Sequence, residues 1–177
     1  MHRQAIRIVV LLATLSITGI IVTQIFWVRK AFDLKEKQFN DRVNIALQTV
    51  AQEIKKLNKD SSEVLPIKQP TSNYFVVSMN DTLHPFLLES LLKKEFESRN
   101  IDVDFEYGIY DCFTDSIVFG RYVFMGDSSE IKKSSNEPPP VWKGDNHYFG
   151  VYFPAKDSYI LSQLGIWVFS SVILLVV

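Results

Sequence analysis

Ile101-Asp-Val-Asp-Phe-Glu-Tyr-Gly-Ile-Tyr-Asp111 opens with strict alternation of apolar and acidic residues. Successive side chains of a β-strand point to opposite faces. Asp102, Asp104 and Glu106 therefore take one side and Ile101, Val103, Phe105 and Tyr107 the other, one wet and one core. Moving outward, Ser116–Met125 and His147–Phe153 are also rich in aromatic and β-branched residues and read as strands, the first reached through a turn at Cys112–Asp115. A polar loop, Gly126 to Asn146 with Pro138-Pro139-Pro140, separates them and is the expected mobile element. In the other direction, Phe86, Leu87, Leu88, Leu91, Leu92 and Phe96 recur at helical spacing up to Arg99-Asn100. A turn at Asn80-Asp81-Thr82 and a strand over Tyr74–Met79 precede that helix.

Further toward the amino terminus, Asp60-Ser61-Ser62 and the Pro66–Pro70 stretch break a long helix, Arg29 to about Asn58, that holds neither glycine nor proline. Its stripe, Phe32, Phe39, Val43, Ala46, Val50 and Leu57, needs a partner. Two partners fit: the domain's own sheet, or the same helix of a second subunit meeting at Phe39, Val43, Ala46 and Val50 as a short coiled coil. The order helix, strand, helix, strand, strand, loop, strand predicts an α+β fold with an antiparallel sheet.

At the ends stand two uncharged apolar runs, Ile8–Val28 and Tyr159–Val177. At about 1.5 Å per residue each is long enough to cross a hydrocarbon core about 30 Å thick. The expected organisation is a leader over 1–7, a transmembrane helix over 8–28, a single domain over 29–158 that includes the long helix 29–58, and a second transmembrane helix over 159–177. The first run is too long for a signal-peptide core, and Trp27 to Ala31 offers no small-residue cleavage site. The second is still apolar at Val177, so the chain is expected to continue beyond it. Arg3 and Arg7 precede the first run while Arg29, Lys30, Lys35, Lys37 and Arg42 follow it, and with so long a loop this charge pattern leaves the orientation open.

A net charge of −1 without a basic stripe excludes a nucleic-acid partner. The single cysteine, Cys112, excludes an intramolecular disulfide and a cysteine-only metal site, and reads as a small strand residue. No phosphate-cradling glycine loop, Gly-x-Ser-x-Gly elbow or His-Glu-x-x-His is present, so no catalytic, cofactor or metal residue is assigned. Tyr107, Tyr110, Arg121, Tyr122 and Tyr152 punctuate otherwise apolar strands and are the candidates for lining a ligand pocket. The alternative makes the tyrosines sheet surface and pairs Arg121 with a carboxylate. His147 opens the last strand beside the polar loop, where a histidine could titrate near neutrality, whereas His84 before Pro85 reads as a turn residue. Asp102, Asp104 and Glu106 could hold a cation, but three carboxylates two residues apart on one face read first as a solvated surface.

Three stretches, Asp102 to Cys112, Tyr148-Phe-Gly-Val-Tyr-Phe-Pro154 and Leu161-Ser-Gln-Leu-Gly-Ile-Trp167, resemble the sensor region of two-span sensor histidine kinases of Bacteroidetes-type bacteria, and the arrangement resembles PAS-like extracytoplasmic sensor domains. The resemblance implies a cytoplasmic amino terminus, a periplasmic domain anchored in the inner membrane, a homodimer, an unidentified periplasmic ligand or protein, and a kinase beyond Val177. That kinase would use ATP and Mg and act on a response regulator in a two-component phosphorelay. It transfers no site residue. Other expectations are a receptor with a different output, such as a chemotaxis transducer or nucleotide cyclase, or a structural envelope protein that binds a partner.

Overall fold

One unbroken helix, α1 (His2–Leu57), takes up the chain from residue 2 to residue 57. The computed structural model describes residues 2–79, 83–112, 114, 116–126, 142 and 147–165. The turn expected at Asn80-Asp81-Thr82, most of the loop from Gly126 to Asn146, and the second apolar run beyond Gly165 lie outside them. The chain divides into two compact units, Met1–Lys37 with Ile160–Val177 and Gln38–Tyr159.

In the first unit, α1 is long and apolar enough to cross a membrane, by length and composition. Its apolar side chains are turned outward, Leu11 and Leu15 being 70% exposed. The hydroxyls that interrupt the run are satisfied within the helix: Thr14, Ser16, Thr18 and Thr23 each donate to the carbonyl four residues earlier.

In the second unit, a lysine in the last turn of α1 holds the loop that follows the helix. Lys55 Nζ reaches Ser62 Oγ and the carbonyl of Glu63, both at 2.7 Å, and Lys59 takes the left-handed turn. Asp60, which accepts from the Ser62 hydroxyl and N–H and faces Lys55, is held below the usual carboxylate range. The strands β1 (Lys68–Thr71), β2 (Tyr74–Ser78), β3 (Phe105–Asp111), β4 (Ser116–Val123) and β5 (Tyr148–Tyr152) form a five-stranded sheet in the order β1-β2-β5-β3-β4. All its pairings are antiparallel. The last strand is the central one. Helix α2 (Pro85–Ser98) starts with Pro85 in its first turn and stops at Asn100, whose φ of 53° ends the helical path, as the Arg99-Asn100 signal predicts.

Both helices lie on one face of this sheet. Phe153 collects the rings of Phe39, Phe75, Phe96 and Phe105, the first of them edge-on at 5.2 Å. Lys94 of α2 pairs with Glu53 of α1 at 3.6 Å, and Arg99 donates to Thr49 Oγ1.

Three features differ from the sequence-based expectation. β1 forms where only a polar break was expected. Its four exposed residues include Pro70, which can sit only where a strand has a free edge, and β1 pairs with β2 alone. β3 starts at Phe105 and not at Ile101, although Ile101 and Val103 are buried. The acidic side of that segment is not uniformly wet, because Glu106 is buried and Asp104 is half-buried. Of the two partners expected for the α1 stripe, the structure shows the unit's own core: Phe39, Val43, Ala46 and Val50, which were also the candidates for a dimer seam, lie at 0–5% exposure inside the unit. Phe39 meets Phe153 at the exit of β5, and Thr49 and Glu53 of the same helix meet α2.

Candidate functional site

The strand period sorts the expected pocket residues onto opposite faces. Tyr107 and Arg121 are register partners on the helix face. Both meet Glu89 of α2: Tyr107 Oη donates to Glu89 Oε2 at 3.1 Å, and Arg121 Nη1 stands 3.3 Å from the same oxygen. Burial first, and the Glu89 carboxylate second, hold the Tyr107 phenol well above the usual tyrosine range. Arg121 has the carboxylate partner that the alternative reading gave it, on a side chain 54% exposed.

Tyr110 and Tyr152 occupy the opposite face. There Tyr110 stacks on Tyr148 at 4.5 Å, and both join Tyr74 and Val76 in a buried cluster against which Cys112, Ile117, Trp142 and Tyr152 pack. Trp142 stands edge-on to Tyr148 and its backbone N–H donates to the Tyr148 hydroxyl at 3.0 Å, while Lys68 Nζ lies over the indole at 4.4 Å. Burial, with Tyr148 alongside, pushes the Tyr74 phenol above its ordinary range. This face is flat enough to be covered because Gly150, Gly108 and Gly120 stand in one register row across β5, β3 and β4. The ring of Tyr74 lies over Gly150, where an added Cβ would stand 2.7 Å from Cε2.

Tyr122, register partner of Glu106 as Tyr152 is, shares the face of Tyr110 and Tyr152. Its hydroxyl donates to Asp104 Oδ2 at 3.3 Å, and burial together with that carboxylate pushes its pKa up to about 12. Asp104 Oδ1 also accepts from the Met125 N–H at 2.9 Å, so this carboxylate secures the end of β4. Asp104 and Glu106 both act on the Tyr122 phenol, but Asp102, Asp104 and Glu106 do not bring three carboxylates together as a cation site requires. His84 packs beside Phe86 at the start of α2.

His147 is drawn into a separate cluster at the strand ends. Its Nδ1 lies 3.1 Å from Asp111 Oδ1 and its Nε2 3.5 Å from Cys112 Sγ. No sequence motif signals this trio, in which His147 stands 35 positions from Cys112; the signal lies in the sheet register, which places the end of β3 against the start of β5.

A second residue escaped sequence reasoning. Lys156, 1% exposed, follows β5 by four positions, donates from Nζ to the carbonyl of Ser72 and sits 5.7 Å from the Phe39 ring centre. With the Phe153 N–H donating to the Asn73 carbonyl at 2.9 Å, it ties the exit from the central strand to the β1–β2 turn. Residues 156–165, which follow directly, are helical. No family model, curated protein or solved structure matches the chain.

Proposed function

We propose that this chain is the signal-sensing, membrane-anchored segment of a bacterial sensor histidine kinase. In this reading the unit Gln38–Tyr159 is a PAS-like periplasmic domain, and the apolar runs at either end are inner-membrane helices. A stimulus from a periplasmic small molecule or protein passes through the second run to a cytoplasmic kinase beyond Val177. That kinase uses ATP and Mg and phosphorylates a response regulator, and the receptor acts as a homodimer.

The observation that carries the reading is the position of β5. It is hydrogen-bonded to β2 on one edge and β3 on the other, and only residues 153–158 lie between it and the second apolar run, the last three of them already helical. A central strand cannot shift without its neighbours, so a ligand that rearranges the sheet acts directly on that exit. The long apolar helix α1 supports the anchor. The resemblance of Asp102–Cys112, Tyr148–Pro154 and Leu161–Trp167 to two-span kinase sensor regions supports the class of output.

Reading the codons after Val177 in the source genome tests the assignment. A region with a phosphoacceptor histidine and an ATP-binding fold is expected. A stop codon shortly after the apolar run, or a cyclase or chemotaxis output, contradicts it.

A further inference from the structure

The last paired position of β3 and β5 is Tyr110↔Tyr148, so the next residues outward, Asp111 and His147, face one another where the two strands part. Asp111 is held at both oxygens. Oδ1 faces His147 Nδ1 at 3.1 Å, and Oδ2 accepts from Thr114 Oγ1 at 3.3 Å. A carboxylate at Nδ1 keeps the imidazole proton on that nitrogen, which leaves the Nε2 lone pair directed away from it. That lone pair meets Cys112 Sγ at 3.5 Å. All three residues are half-buried, with donor atoms within 4.8 Å of one another.

Two ligands of a tetrahedral zinc ion, sulfur at about 2.3 Å and imidazole nitrogen at about 2.0 Å, stand about 3.5 Å apart. The separation of Cys112 Sγ and His147 Nε2 is therefore a ligand-to-ligand distance before any metal is added. The Asp111–His147 contact is the carboxylate–histidine pairing that orients a metal-bound ring. A thiolate with an imidazole selects borderline-soft cations over Mg²⁺ and Ca²⁺, and partial exposure leaves the remaining positions to water.

We propose that Cys112 and His147 form a binding site for a zinc-class divalent cation, with Asp111 as the positioning residue for the imidazole. On binding, the Cys112 S–H bond breaks, its proton passes to solvent, and the sulfur electron pair forms the bond to the metal. The ion bridges the end of β3 to the start of β5, beside the point where the His147 carbonyl accepts from the Met79 N–H at 2.8 Å. The site thus clamps the entry of the central strand, opposite its exit at Phe153, and it stands whether or not the output is a kinase.

Because Cys112 is the sole cysteine, the test reads one thiol. Cobalt(II) titrated into the full chain in detergent micelles should raise a thiolate-to-cobalt charge-transfer band that saturates near one equivalent. Zinc should bleach it, and excess Mg²⁺ or Ca²⁺ should not. Cys112→Ser and His147→Gln should remove the band, and Asp111→Asn should weaken cobalt binding about 10–100-fold while keeping the band. Independently of any variant, zinc should slow alkylation of wild-type Cys112 by iodoacetamide. A folded wild-type chain without the band, a band that survives in Cys112→Ser or His147→Gln, bleaching by Ca²⁺, or alkylation untouched by zinc overturns the site. Unchanged affinity in Asp111→Asn overturns the positioning role.

Discussion

Tyr74 lies across Gly150 with its ring packed to 2% exposure, so position 150 tolerates no side chain without moving a phenol that has no room. Gly150→Ala should cost about 1–3 kcal/mol by overpacking, measured as a lowered unfolding midpoint in micelles. Gly120→Ala, whose added Cβ would meet its nearest neighbours at 3.7 Å, should cost less. Three tyrosines give the fold a pH limit. Tyr74, Tyr107 and Tyr122 hold their protons above the ordinary value of 10.0, Tyr122 up to about 12. Below pH 10 both folded and unfolded chains keep these protons and the folded state retains its full stability. From pH 10 upward the unfolded chain ionises first, so stability falls as pH rises toward 12. A circular-dichroism titration should show that fall, and Tyr122→Phe should make it shallower. A stability profile that is flat or rises over this range contradicts the burial of these phenols.

At the scale of elements, the inward face of α1 is committed to the unit's own core. Leu47 is fully buried whereas Ile45, two residues earlier, is 51% exposed. Leu47→Ala should therefore cost about 2–5 kcal/mol and Ile45→Ala within about 0.5 kcal/mol, as read by chemical denaturation. Single cysteines at Val43 and Ala46 should be slow to label and should not crosslink between copies; rapid symmetric crosslinking would restore the dimer seam. Periodicity alone could not choose between these partners, because an apolar stripe records that a face is covered and not what covers it. The same limit explains the scattered tyrosines. Alternation identified the strand that carries Tyr107 and Tyr110, but only its register with β4 and β5 shows Tyr107 reaching Glu89 and Tyr110 stacking on Tyr148. β2, α2, β4 and β5 were legible because their apolar periods are strong. β1 was not, being short, polar and carrying a proline. The Asp111–Cys112–His147 cluster exists only once β3 and β5 are paired.

On the scale of the whole molecule, a helix able to cross a membrane leads into a unit whose central strand is the last to be added. The strand's exit is secured by Lys156 and Phe153 to the β1–β2 turn. In the proposed sensor the sheet-bearing unit faces outward from the cytoplasm. Ser61, exposed just after α1, is a suitable reporter. Ser61→Cys in a Cys112→Ser background should react with a membrane-impermeant maleimide in intact spheroplasts, to the same extent as after lysis. Labelling that appears only on lysis would place the unit in the cytoplasm and contradict the periplasmic sensor.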